Sequence, residues 1–395
     1  MLLDICRVAK AEVDNVPDER NLSHTVNSKA IESNEIQLQS SNSLPFVNFG
    51  KLQPYLDDKC VEEIWINSPN RIFIARNGKS ELAPVIISLQ EIRDITERML
   101  AWSGRRVDLS QPFVDARLPD GSRLHVAIPD ITSEYWAINI RKKVISAYSV
   151  HDLISKETVN DEIAQALILL VQSGSNILVS GATHAGKTTV LNSLLGALPA
   201  GSRLITLEEV FELTPRVPDH VAMQTRQASL EGAGEVTLRT LVRESLRMRP
   251  SHLVIGEVRG AEALDLLLAL NSGVPGMASI HANSSHDALR KMSALPLLAG
   301  TNIPREFAIE AVRENIDVII HCKQNRDGKR KIVDIALVDK SSSSSQLACE
   351  SLFYWDGSNY QMGQVDFDCH RKLGRLRLNL LEYSQKTDPV RKKIQ

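Results

Sequence analysis

The sequence predicts an α/β protein in which a parallel-core sheet with flanking helices, at residues 161–340, follows a smaller α+β N-terminal domain at residues 45–145. Three observations predict it. Short apolar runs alternate with helical patterns through the second half, as in strands joined by crossover helices. The run "NILVS" enters a glycine-framed loop that opens a helical pattern. The first half instead carries hairpin signals, at Asn77-Gly78 and at Pro119-Asp120-Gly121.

At 395 residues the chain is long enough for two cores. A hydrophobic content of 43%, a charged content of 24% and a formal charge of −2 are those of an ordinary globular protein. That charge argues against a protein built mainly to coat nucleic acid. The five cysteines, Cys6, Cys60, Cys322, Cys349 and Cys369, share no metal-ligand or disulfide spacing, which suits a reducing compartment. The best candidate for a membrane span, "AQALILLV" at 164–171, falls far short of the roughly 18–20 apolar residues required. The N-terminus lacks the basic start and long apolar core of a signal peptide. A cytoplasmic location is expected, with any membrane association made through a partner.

Residues 1–44 are polar, end in "QLQSSNS" and are expected to be a flexible arm, a short docking helix being the alternative. "NRIFIARNGKSEL" alternates apolar residues about the Asn77-Gly78 turn. "SLQEIRDITERMLAWSG" has helical spacing through Ile92, Ile95, Met99 and Leu100, with Gly104 as its stop. "PFVDARLPDGSRLHVAIP" forms the second hairpin. Arg105, Arg106, Arg117, Arg123 and Arg141 belong to this domain, and singly each is an ordinary surface charge. The polar stretch 146–160 is expected to be a linker. Residues 341–395 are expected to be a Ser-rich linker, "SSSSSQ", and a small C-terminal appendage carrying Phe353, Tyr354 and Trp355.

The frame G-x-x-x-x-G-K-T is complete at Gly181, Gly186, Lys187 and Thr188, and "TTVLNSLLGAL" then continues with helical spacing. Such a loop cradles phosphate with backbone N–H groups at a helix N-terminus, while the lysine adds a cation and the threonine hydroxyl can ligate magnesium. The candidate nucleotide-binding residues are therefore Gly181, Ala182, Thr183, His184, Ala185, Gly186, Lys187, Thr188 and Thr189. His184 and Ala185 stand where many such loops have Gly and Ser. Histidine enters the left-handed region better than most non-glycine residues, so His184 is expected to be loop wall and not a catalyst.

Three further apolar runs end in polar groups: "RLITL" at Glu208 and Glu209, "HLVIG" at Glu257 and "MASI" at His281. Ligands of open α/β sheets bind at the carboxyl ends of strands, so these ends should share one crevice with the loop. Phosphoryl transfer relies on positioning and charge neutralisation. Glu257 is expected to hold magnesium, Glu208 or Glu209 to orient or deprotonate water, and His281 to sense the γ-phosphate. Glu212 lies one turn from Glu208 if that segment coils. Arg239, Arg243 and Arg247 of "EVTLRTLVRESLRMRP" share a helix face. Arg239 and Arg243 are expected to compensate transition-state charge, and Arg247 to be solvated. The preceding "QTRQASLEGAGEV" offers Arg226 and two glycines in a loop able to fold over a nucleotide.

The order of the glycine-framed loop, "ITLEEVFEL", "LRMRPSHLVIGEVRG" and "SIHANS" resembles the secretion ATPase superfamily of type II and type IV secretion and pilus systems. Within it, "GEVTLRTLVRESLRMRP" and "GRRVDLSQPFVDARLPDGSRLHVAIP" are similar to the Tad/CpaF-type pilus-assembly ATPases, over roughly residues 47–340. The resemblance implies a RecA-like P-loop ATPase domain at the C-terminal side, ATP and Mg2+ as cofactors, and nucleotide held between the two domains. It also implies a homohexamer on the cytoplasmic face of the inner membrane, working with a polytopic platform protein of a pilus or secretion apparatus, with no specific nucleic acid expected. By position, Lys187 and Thr188 are Walker A, Glu208, Glu209 and Glu212 the acidic box, Glu257 Walker B and His281 the histidine box. The N-terminal arginines that approach nucleotide fall among Arg105, Arg106, Arg123 and Arg141. The acidic box departs from the usual Glu-Asp, the extra methylene moving the Glu209 carboxylate by about one C–C bond, and "NSGVPG" lacks a His common in relatives. The rival readings are a DNA-translocating ATPase of the same fold and a catalytically inactive ring scaffold.

Overall fold

The computed structural model describes residues 48–76, 78–143, 147–226, 233–341, 346–367 and 370–373. The N-terminal arm expected at 1–44, the turn residue Asn77 and most of the glycine loop before Val236 lie outside them. Both sheets described below belong to one compact unit that begins at Phe49.

The first sheet is built from strands β1 (Val61–Ser68), β2 (Arg71–Arg76), β3 (Lys79–Leu82), β4 (Phe113–Arg117), β5 (Arg123–Ala127) and β6 (Ala137–Arg141). Its order is β3-β2-β1-β6-β5-β4, with every neighbouring pair antiparallel. Both expected hairpins are present as β2–β3 and β4–β5, and Gly78 and Gly121 take the positive φ angles, 76° and 86°, that their turns need. Strand alternation sorts the side chains by face. Ile74, Ile64, Ile140 and Leu124 are successive cross-strand partners and all are buried. A short helix α1 (Gln53–Asp57) precedes this sheet. Helix α2 (Leu89–Trp102) opens on a capping box between Ser88 and Glu91 and buries Ile92, Ile95, Met99 and Leu100. Gly104, at φ 64°, follows its end.

The segment expected to be a linker instead folds. Helix α3 (Val150–Ser155) starts with a second capping box, Ser149 with Asp152, and Val150, Leu153 and Val159 are buried in the main core. Its polar letters serve the cap while its few apolar ones face inward. Helix α4 (Asp161–Gln172) follows, capped by Asn160.

The second sheet comprises β7 (Ile177–Gly181), β8 (Arg203–Glu208), β9 (Asp219–Gln224), β10 (His252–Val258), β11 (Gly276–His281), β12 (Val318–Gln324), β13 (Arg330–Val338), β14 (Cys349–Trp355) and β15 (Tyr360–Met362). Its nine strands run β15-β14-β13-β12-β7-β11-β10-β8-β9. From β12 to β9 all pairs are parallel, and from β12 to β15 all are antiparallel. The residues expected to form an appendage thus contribute β14 and β15 to the sheet edge, with Phe353 fully buried.

Five further helices cross over between these strands: α5 (Lys187–Leu195), α6 (Leu238–Ser245), α7 (Glu262–Asn271), α8 (Ser285–Ala294) and α9 (Arg305–Asn315). They cover both faces, as a parallel sheet requires. Ile177 and Val179 of β7 enter a core shared with α3, α4 and α5, whereas Leu178 enters one shared with α6, α7, α8 and α9. The molecule is therefore a mixed α/β protein. Among the described residues no helix is long and apolar enough to cross a membrane.

Candidate functional site

Strand β7 lies between β11 and β12, and the glycine-framed loop leaves its carboxyl end. A Cβ on Gly181 would sit 2.5 Å from the Cys322 carbonyl oxygen, so no larger residue fits at that close approach. Gly186, at φ 93°, caps α5, and His184 adopts φ 63°, the left-handed conformation expected for it. Lys187 opens the helix and is only 8% exposed. Its ammonium donates to the Ala182 carbonyl at 3.0 Å and to His281 Nδ1 at 3.0 Å. Burial pushes the Lys187 pKa down. A helix N-terminus preceded by glycines presents its free N–H groups to an anion.

The other strand ends do converge here. With Lys187 donating to Nδ1, the His281 proton belongs on Nε2, which lies 2.7 Å from Glu257 Oε1. The contact is close without being a hydrogen bond, and Oε1 is buried with no hydrogen-bond partner. Burial, then the Lys187 charge, hold His281 below the usual imidazole pKa. Burial pushes the Glu257 carboxyl up, but the Arg259 hydrogen bond and the Arg259 and Lys187 charges outweigh it and leave the pKa lowered. Arg259 bridges two acids, reaching Glu257 Oε2 at 2.8 Å and Glu209 Oε2 at 3.1 Å.

Glu208 is 3% exposed. Its Oε1 accepts the backbone N–H groups of Glu212 at 2.8 Å and Leu213 at 2.9 Å. The segment after Glu208 is not helical. These two bonds, and not a helical turn, bring Glu212 back toward the loop. There Glu212 accepts from Thr188 Oγ1 at 3.0 Å and pairs with Arg123 at 3.0 Å. Burial raises the Glu208 pKa, and the two backbone bonds offset that only in part.

The first sheet supplies a wall of cations. On the face opposite its apolar row, Arg141 and Arg123 are direct cross-strand partners, flanked by Glu63 on one side and Arg117 on the other. Like charges placed directly opposite are destabilising unless an anion lies between them. Arg123, Arg141 and Lys143 line the same pocket as Gly186, Lys187 and Thr188. Lys142 lines it too, but its ammonium is spent on the Tyr55 and Asp58 carbonyls.

Other expected residues are placed elsewhere. Arg105 is exposed, and Arg106, 83% exposed, lies 3.6 Å from Asp108 and does not reach the pocket. Arg239 and Arg243 both turn to the buried Asp265, at 2.6 and 2.8 Å, because α6 lies against α7, which carries that carboxylate. Within one subunit they do not join the phosphate loop. Arg247 pairs with the exposed Glu244. Sequence reasoning missed Lys143, Arg259, Glu62 and Arg330. Arg259 stands just past the end of β10, where strand alternation no longer fixes which way a side chain points. Arg330 and Glu62 are 268 positions apart, and no local spacing announces them.

The family model described as "Type II/IV secretion system protein" matches residues 47–354. The chain belongs to that family. A Mycobacterium tuberculosis protein named for conjugal transfer is 32% identical over 305 residues, which are 75% of this chain and 86% of that protein. The conjugal transfer protein TrbB of Rhizobium radiobacter is 29% identical over 70% of this chain and 83% of its own. The type IV secretion system protein VirB11 of Bartonella quintana is 26% identical over 75% of this chain and 94% of its own. Among solved structures, the ATPase DotB of Legionella pneumophila matches with a TM-score of 0.52 at 19% identity, over 72% of this chain and 79% of that one. That likeness is one of fold.

The residues in place fit a magnesium nucleotide. No cluster of three or more His, Cys, Asp or Glu able to cage a metal exists among the described residues. Magnesium does not need one, since it is held by one or two protein oxygens together with phosphates and water. Thr188 Oγ1 and the partnerless Glu257 Oε1 are hard oxygen donors of that kind.

Proposed function

We propose that this chain hydrolyses ATP and works as a homohexameric motor for a pilus or secretion apparatus at the cytoplasmic face of the membrane. The observation that carries it is the junction of Lys187, His281 and Glu257 at three adjacent strand ends, with Lys187 also lining the pocket walled by Arg123, Arg141 and Lys143. In this reading Gly181 to Thr189 cradle the phosphates through backbone N–H groups. Thr188 and Glu257 would hold magnesium, which when bound neutralises charge on the phosphate oxygens. Lys187, Arg141 and Lys143 stabilise the negative charge that develops during transfer. Glu208 positions the acidic segment through two backbone bonds, so Glu209 and Glu257 are left as the carboxylates able to orient water. His281, held neutral between Lys187 and Glu257, is the group best placed to register the γ-phosphate. Arg239 and Arg243, fixed on Asp265, have no direct part within their own subunit.

Two cargo readings remain. The motif resemblance favours Tad/CpaF-type pilus assembly, through a polytopic platform protein. The names of two relatives favour an apparatus for conjugal transfer, and a motor acting on DNA is the rival within the same fold. Sizing in the presence of ATP tests the ring, and a strict monomer at micromolar concentration contradicts it. Comparing ATP turnover with and without single-stranded DNA divides the cargo readings. Strong, salt-sensitive stimulation supports direct action on DNA and is incompatible with the pilus reading.

A further inference from the structure

Arg330, the first residue of β13, makes three hydrogen bonds to two separate parts of the molecule. Its two terminal nitrogens grip the Glu62 carboxylate of β1, at 3.0 and 2.7 Å. Its Nε donates to the carbonyl of His184, at 2.9 Å. The Arg330 stem runs beneath the loop, since a Cβ on Gly186 would lie 3.1 Å from its Cδ. Beside it the turn between β12 and β13 touches the β2–β3 turn, where Gln324 Nε2 lies 3.4 Å from the Gly78 carbonyl oxygen. His184 Nε2 stands 3.8 Å from Glu63, next to Glu62.

We propose that Arg330 is a positioning residue that locks the phosphate loop to the first sheet, holding the His184 peptide in its left-handed turn so that the loop's N–H groups stay arranged for an anion. Three features carry this. The fork-shaped guanidinium is matched to a carboxylate, so Arg330 is fixed in place by Glu62. With its terminal nitrogens so engaged, the remaining N–H fixes a loop carbonyl. That carbonyl belongs to a non-glycine residue at φ 63°, a conformation that the surroundings must hold in place. The inference rests on the reading of the pocket as a nucleotide site, and it names how the two sheets are coupled there.

The rival role is that of a direct phosphate ligand, because Arg330 also lines the pocket. Glu62 separates the two. If Arg330 positions the loop, Glu62→Gln loosens it, and the affinity for Mg-ADP falls. If Arg330 binds phosphate directly, Glu62→Gln frees its charge, and the affinity rises. We expect Arg330→Gln to weaken Mg-ADP binding about tenfold, the effect of losing roughly one charge-assisted hydrogen bond. Arg330→Lys should do the same, since it retains the charge but not the fork. The double variant Glu62→Gln/Arg330→Gln should be no worse than Arg330→Gln alone. Amide hydrogen exchange should accelerate at residues 184–188 and stay unchanged in α4, whether or not nucleotide is added. Tighter binding by Glu62→Gln, full rescue by lysine, or unaltered loop exchange would each overturn the proposal. If Arg330→Gln fails to fold, Glu62→Gln and its exchange pattern decide. Wild-type protein that binds no Mg-ADP sinks the nucleotide reading, while loop exchange still tests the lock.

Discussion

His184 occupies a backbone conformation that costs an L-residue about 1–2 kcal/mol and is worst for β-branched side chains. His184→Val should therefore lower the thermal unfolding temperature, whereas His184→Gly should not. An equal effect of the two would show that the loop is not strained at this position. Glu208 offers a test by pH. Its folded pKa is raised above the ordinary 4.5 by burial, so the native state holds its proton more tightly than the unfolded chain does. The associated stability is complete below the unfolded pKa and is lost as pH rises through the folded one. Glu208→Gln, which cannot ionise, should gain stability relative to wild type across the window above pH 4.5, measured by urea unfolding at a series of pH values. A gap that does not change with pH refutes the assignment. At this scale the loop glycines, Lys187, Glu257 and His281 were legible, because local spacing and strand ends announce them. Lys143 and Arg330 were not, because only the fold brings them to the loop.

Helices α6 and α7 are tied by one buried carboxylate that accepts from Arg239 and Arg243. Removing it as Asp265→Ala should destabilise the protein by about 1–3 kcal/mol, since two charge-assisted bonds are lost while the arginines can still reach water. Urea unfolding measures this. If instead stability is unchanged and ATP turnover alone collapses, the arginines belong to catalysis after all. The four-residue spacing revealed the shared face of these arginines but not its partner, which comes from the next helix. The stretch at 146–160 misled for a related reason. Ser149 and Asp152 look like linker residues in composition, but their side chains cap α3. Hairpins β2–β3 and β4–β5 were readable because their turn chemistry is local, whereas the cross-strand pairing of Arg123 with Arg141 required the register.

At the level of the whole molecule, the family and the mixed α/β fold agree with the motif order, which is a property of sequence alone. The joining of β14 and β15 to the nine-stranded sheet was hidden behind a serine run that resembles a boundary. Residues of the two halves meet around the glycine-framed loop: Glu62, Arg123 and Arg141 come from the first sheet, Arg330 from the second, and Lys187 and Glu212 from segments that follow β7 and β8. In the proposed motor, such an arrangement would let nucleotide state bias the two parts against each other. The most direct test of the central claim is steady-state ATP turnover of the purified full chain, with and without magnesium, beside Lys187→Ala. The account predicts magnesium-dependent turnover that Lys187→Ala abolishes while leaving the folded state intact by circular dichroism. Wild-type protein with no turnover, or a Lys187→Ala variant that retains it, would contradict the account.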